Sequence, residues 1–195
     1  MTEWWTYGLS DFLMFTPQAY WRLVARYNAA WWPAQALATV APLALLAAMR
    51  SRHAWAVRAG LLLLATGWGW LGWAFHWQRY AEIFLAAPWT AAACALQALL
   101  LVMVAALPLR GVNRQPAAAA WLLAALAVLY PLLAPLTGHP WAEAEVFGFM
   151  PEPTALATLG AVLGCTRIAG PARVLLAILP VLSLALGAAT RVLIA

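Results

Sequence analysis

Two short segments contain the residue types that bind solutes or transfer protons. The first, at the end of a long apolar run, contains His76, Arg79 and Glu82 beside Trp73 and Trp77. On a helix Trp73 and His76 would share a face, and Arg79 and Glu82 are three residues apart and could pair. Indole rings offer cation–π surfaces, and the charged groups would orient a polar solute. The simpler interpretation is an aromatic belt at the membrane surface with one snorkelling arginine.

The second segment contains His139, Trp141, Glu143 and Glu145. Together with His76, these side chains could supply nitrogen and oxygen ligands to zinc or a related ion. Their spacing is generic, and neither a cysteine nor an H-E-x-x-H motif accompanies them. We therefore predict no metal and no other cofactor, and the alternative interpretation is an ordinary solvated loop.

Glu152 follows this segment and lies immediately before Pro153. Proline is favoured in the first turn of a helix, and an acidic side chain there is stabilised by the helix dipole. We therefore interpret Glu152 as part of a helix start.

Membrane-spanning helices must position these residues. Of the 195 residues, 66% are hydrophobic and 9% are charged, whereas about 25% of a soluble domain is charged. A stretch of about 17–25 residues without charge is long enough to cross a bilayer. Such a search, with the fifth stretch shorter than the rest, gives residues 31–49, 59–77, 83–107, 117–136, 153–166 and 174–190.

The predicted fold is an all-α membrane bundle in one domain, residues 1–195. Residues 1–28 form an N-terminal interfacial segment, in which residues 10–28 mix aromatic and charged side chains as a helix lying along the membrane does. Residues 29–195 form a bundle of six transmembrane helices.

The arginines predict the orientation of this bundle. Seven of the eleven fall in the loops after spans one, three and five, and four fall on the other side. The positive-inside rule then places both termini outside. The outer side also receives all six acids, most tryptophans, His76 and His139, so we expect a polar site there.

Few polar residues lie inside the spans. Gln97 is near the middle of span three and needs a partner in a neighbouring helix. Gly69 and Gly72 share the helix face of His76, so a neighbouring helix can approach closely and pack against that histidine. Prolines such as Pro180 would kink their helices and free carbonyl groups.

Several segments resemble a family of small bacterial multi-span proteins that is a domain of unknown function. They are W-W-P-A-Q at 31–35, F-H-W-Q-R-Y at 75–80, E-V-F-G at 145–148 and P-E-P-T-A-L-A-T at 151–158. Members of that family are sometimes labelled as permeases of the major-facilitator type. The resemblance implies a multi-pass protein of the bacterial inner membrane and brings no established activity.

The leading functional hypothesis is a membrane protein that binds or transports a small cationic or zwitterionic solute. Its outer-facing site would consist of Trp73, His76, Trp77, Arg79, Glu82, His139, Trp141, Glu143 and Glu145. One alternative is a membrane enzyme that acts on a lipid or amphiphile at the outer leaflet, with a histidine as general base. Another is a non-catalytic subunit of a larger membrane complex.

The expected partners are the lipid bilayer and the small solute. So small a chain would need to form a homo-oligomer in order to transport by alternating access. The arginines are scattered singly between apolar runs, which is typical of membrane loops, so we predict no nucleic-acid partner.

Overall fold

The structure is a computed structural model that describes residues 15–111 and 118–194. Within these ranges the chain forms seven helices and no strand. They are α1 (Pro17–Ala30), α2 (Ala34–Arg50), α3 (Ala54–Trp70), α4 (Ala87–Ala106), α5 (Ala118–Leu129), α6 (Pro151–Gly164) and α7 (Gly170–Ile194). A π-helix, Leu71–Trp77, continues α3, and a 3-10 turn followed by the short helix Leu133–Leu136 continues α5.

Three helical segments are long and apolar enough to cross a membrane: Ala87–Ala106, Ala118–Leu136 and Gly170–Val192. Helices α1 and α2 pass the same test only as a pair, which is bent by 91°. The all-α prediction is confirmed, and each of the six uncharged stretches coincides with one helix, α2 to α7. The first residues of the predicted interfacial segment, with Glu3 and Asp11, and the loop residue Arg114 lie outside the described residues.

Helix α6 lies at the centre of the bundle. It packs against α2, α3, α5 and α7, and eleven of its fourteen residues are buried. The connection that leads into it is equally enclosed, because every residue from Ala144 to Met150 is buried. This part of the chain is folded into the protein and is not a solvated loop.

Hydrogen bonds hold this buried connection in place. The side-chain amide of Asn28, on α1, donates to the carbonyl oxygens of Ala142 and Ala144 at 2.7 and 2.9 Å. The backbone N–H of Gly148 donates to Thr154 Oγ1 at 2.7 Å. Since buried backbone groups need partners, these contacts allow non-helical chain to lie among helices.

Gln97 on α4 binds the backbone of α7, which confirms the prediction that it needs a partner in another helix. Its Nε2 donates to the carbonyl oxygen of Leu176 at 2.9 Å. Pro180 lies four residues after Leu176 inside α7. Because proline has no N–H, it cannot satisfy the Leu176 carbonyl, and Gln97 supplies the missing donor.

We expect Gln97→Leu to lower the free energy of unfolding by about 1 kcal/mol, since it leaves the Leu176 carbonyl without a donor. In a Pro180→Ala background the cost should be smaller, because the alanine N–H then satisfies that carbonyl. A double-mutant cycle measured by unfolding in mixed detergent micelles tests this coupling. An equal cost in both backgrounds would contradict it.

Candidate functional site

The π-helix at the end of α3 places His76 against α4. Gly72 permits the close approach, since a Cβ at that position would lie 2.8 Å from the Cβ of Cys94. His76 is buried, and its Nδ1 lies 2.9 Å from Thr90 Oγ1. The prediction that His76 packs against a neighbouring helix is confirmed.

The Thr90 hydroxyl lies within hydrogen-bond distance of two groups. Its Oγ1 is 2.8 Å from the carbonyl oxygen of Ala87 and 2.9 Å from Nδ1 of His76. With the hydroxyl hydrogen on the Ala87 carbonyl, His76 donates from Nδ1 and its Nε2 is an acceptor.

A cavity of about 220 Å³ lies between α4 and α7, near the start of α6. Its other walls come from α3, the π-helix, the turn that follows it, and α1. Aromatic and aliphatic side chains form most of the surface. Polar side chains on the wall belong to Tyr20, His76, Tyr80, Thr90, Glu152, Ser183 and Thr190.

Arg191, near the end of α7, joins two buried glutamates beside this cavity. Its Nη2 donates to Glu145 Oε2, and its Nε lies 3.6 Å from Glu152 Oε1. The hydroxyl of Tyr20 donates to the other oxygen of Glu145 at 3.5 Å. We call Glu145, Glu152 and Arg191 the acid–arginine cluster. It links α6, α7 and the buried connection, and through Tyr20 it reaches α1.

Gly187 leaves the space that the Glu152 side chain occupies. A Cβ at position 187 would lie 2.9 Å from Cδ and 3.0 Å from Cγ of Glu152. Glu152 lies in the first turn of α6, as expected of a helix start, where the helix dipole favours a carboxylate. Its Oε2 is buried and has no hydrogen-bond partner in the described part of the chain. Glu152 also lines the cavity.

The acid–arginine cluster contains two acids and one base. Only 4% of Glu145 and 8% of Glu152 is exposed. Burial raises the pKa of Glu145, with the neighbouring charge of Glu152 acting in the same direction and Arg191 opposing it. The cluster therefore favours one additional positive charge, which is either a proton or a cation.

Of the nine residues predicted to form the site, His76 lines the cavity and Glu145 belongs to the acid–arginine cluster. Trp73, Trp77 and Trp141 are 50%, 59% and 62% exposed, and none of them lines the cavity. The π-helix keeps His76 inside while Trp73 faces outward.

The other four predicted residues form two separate groups. His139 Nδ1 lies 2.7 Å from Glu143 Oε2, and the His139 ring packs on Trp21 with the ring centres 4.1 Å apart. Arg79 and Glu82 are exposed and line a second pocket beside α1.

The predicted residues do not assemble into a metal centre. Within residues 15–111 and 118–194, no group of three or more His, Cys, Asp or Glu side chains could hold a metal ion. His139 and Glu143 pair with each other, whereas Glu145 pairs with Arg191 and His76 faces Thr90.

Sequence reasoning missed Arg191, Tyr20, Tyr80 and Thr90 as site residues and assigned Glu152 only a helix-start role. A signal for Arg191 was present, because it lies near the end of the last predicted span with mostly apolar residues on both sides. A charged residue embedded in such a helix is a functional candidate by default. Nothing in the spacing of the tyrosines or of Thr90 indicates that they meet at one cavity.

Comparison with known proteins places the chain in a family. No curated protein and no solved structure matches it. DUF6064, a family of unknown function, matches residues 17–194. This match covers nearly the whole sequence and confirms the resemblance to a family of unknown function. The chain therefore belongs to the DUF6064 family.

Proposed function

We propose that this protein binds a small cationic or zwitterionic solute in the cavity between α4 and α7 and moves it across the membrane. The observation that carries this proposal is the buried carboxylate of Glu152. It lines the cavity and keeps one oxygen without a hydrogen-bond partner in the described chain. A buried carboxylate of this kind is stabilised by a positively charged group.

The walls of the cavity also suit a cation. Tyr20, Trp68, Phe75 and Tyr80 line it, and aromatic rings attract ammonium groups through their faces. Its volume, about 220 Å³, is below the range of about 300–1,000 Å³ for pockets that bind drug-sized molecules. The solute is therefore small.

A zwitterionic solute has a second partner available. Arg191 lies 3.6 Å from Glu152 and would attract the anionic group while Glu152 holds the cationic one. Arg191 also stays charged at any relevant pH. Binding of a zwitterion would therefore use both Arg191 and Glu152, which gives a role to the arginine in a cluster that contains more acids than bases.

In this proposal α2 to α7 cross the bacterial inner membrane six times, with both termini outside. Helix α6 has only fourteen residues, which span about 21 Å. The buried connection Ala144–Met150 precedes it and lies within the protein, on the outer side in this proposal. The cavity would open toward the outer side, and a homo-oligomer would supply the scaffold for alternating access.

We expect Glu152→Gln to weaken binding of the solute at least tenfold, since the neutral amide no longer offers a charge. The measurement is the thermal shift of the purified protein with tetramethylammonium, choline, guanidinium and glycine betaine, each titrated separately. Glu143→Gln is the matched control, because Glu143 pairs with His139 away from the cavity. Any ligand found is then assayed for uptake into proteoliposomes.

Two results would count against the proposal. One is the absence of a saturable shift with every compound in the wild-type protein. The other is an equal loss of binding in Glu143→Gln and Glu152→Gln, which would show that binding does not depend specifically on the carboxylate of Glu152. Saturable binding without uptake would retain the site and reject transport.

The raised pKa of Glu145 predicts how stability depends on pH. Above the ordinary pKa of a glutamate, about 4.3, and up to its raised pKa in the folded protein, Glu145 holds a proton that the unfolded chain has lost. The free energy of unfolding should therefore fall as the pH rises through this window, by up to about 1.4 kcal/mol per pH unit for one proton. Thermal unfolding in detergent between pH 5 and pH 9 measures this slope.

Glu145→Gln should flatten this pH dependence because it removes the titrating group. Glu143→Gln should retain the wild-type slope. If the slope were the same in all three proteins, Glu145 would not be the group that takes up the proton.

A further inference from the structure

A second cavity lies on the outside of α1, away from the acid–arginine cluster. Its volume is about 290 Å³. Three arginines contribute to its wall: Arg22 and Arg26 from α1, and Arg79 from the turn after the π-helix. We call it the arginine pocket.

Within residues 15–111 and 118–194, the charge of the three arginines is not neutralised. Arg22 and Arg26 are one helical turn apart, a spacing at which like charges destabilise a helix. All three are exposed, and among these residues none of the three forms an ion pair with a carboxylate. Glu82 is the one described acid on the wall, so the described side chains give the pocket a net positive charge.

The orientation of α1 indicates where the positive charge of the arginine pocket lies relative to the membrane. Helix α1 meets α2 at 91°, so α1 runs along the membrane surface if α2 crosses the bilayer. Its buried side, with Tyr20, Val24 and Tyr27, packs against the protein. Arg22 and Arg26 are on the opposite, exposed side, at the depth of lipid headgroups.

We propose that the arginine pocket binds the phosphate group of a membrane phospholipid. Guanidinium groups hold phosphate oxygens through paired, charge-assisted hydrogen bonds. Leu23 and Ile83 line the same pocket and contact the apolar part of the lipid. Glu82 accepts the ammonium of an ethanolamine headgroup. This site is separate from the proposed solute cavity, and the lipid proposal does not depend on solute binding.

The test uses the full-length protein in detergent with defined short-chain lipids, and native mass spectrometry counts the bound molecules. The probes are phosphatidylglycerol, phosphatidylethanolamine and, as a lipid without phosphate, diacylglycerol. We expect both phospholipids to bind and diacylglycerol not to bind. Arg22→Gln/Arg26→Gln should weaken phospholipid binding at least tenfold, because two of the three guanidinium groups are removed.

Arg52→Gln/Arg58→Gln is the charge-matched control, since both arginines are exposed and lie outside the arginine pocket. Its phospholipid affinity should equal that of the wild type. Equal weakening in the two double variants would overturn the proposal, because it would show a response to net charge alone. The thermal unfolding temperature without lipid shows whether each variant is folded.

Two further measurements complete the test. One distinguishes a phospholipid from free inorganic phosphate, and the other tests the position of the lipid headgroup in the pocket. Inorganic phosphate should compete only at concentrations far above those of phospholipid, and equal affinity for free phosphate would overturn the assignment to a lipid. Glu82→Gln should weaken phosphatidylethanolamine and leave phosphatidylglycerol unchanged. Loss of phosphatidylglycerol binding in that variant would contradict the proposed position of the headgroup.

Discussion

The contact between Arg191 and two buried glutamates determines how one end of this bundle is assembled. Arg191 reaches Glu145 in the connection before α6 and Glu152 in the first turn of α6. Burying the two glutamates costs several kcal/mol for each, and only pairing with Arg191 and hydrogen bonds offset that cost. Neighbouring residues help to accommodate the two glutamates, because Tyr20 donates a hydrogen bond to Glu145 and Gly187 leaves room for the side chain of Glu152.

The same contact explains why the connection into α6 is folded into the protein. A chain with free polar groups is not stable among apolar helices. Here Asn28 binds two of its carbonyl groups, Thr154 binds the N–H of Gly148, and Arg191 binds its glutamate. These contacts hold the connection at the start of α6, where the carboxylate of Glu152 lines a cavity that is otherwise mainly apolar.

The sequence predicted the helices well because their signal is local. Each helix from α2 to α7 coincides with an uncharged stretch, and such an apolar run can be recognised from the sequence without knowing its neighbours in the fold. The burial of His76 and the need of Gln97 for a partner were also predictable, since glycine spacing and an isolated amide in an apolar helix indicate close packing.

Which residues form the candidate site was less predictable, because the site depends on contacts between segments that are distant in the sequence. Glu145 and Glu143 are two residues apart, yet Glu145 is buried against Arg191 whereas Glu143 pairs with His139. Their local sequences do not distinguish these environments. Trp73 and Trp77 were expected near a solute, but their side chains are exposed, and the aromatic wall of the cavity comes instead from residues such as Trp68 and Tyr80.

Pro180 divides α7 into two mechanically different halves. The half before it is tied to α4 through the bond between Gln97 and Leu176. The half beyond it carries Gly187, which lines the cavity, and Arg191, which lies beside Glu152. With one backbone hydrogen bond missing at the junction, α7 bends there at lower cost than elsewhere along its length. A bend at Pro180 would change the distance between Arg191 and Glu152, so the contact between these two side chains depends on the angle between the two halves of α7.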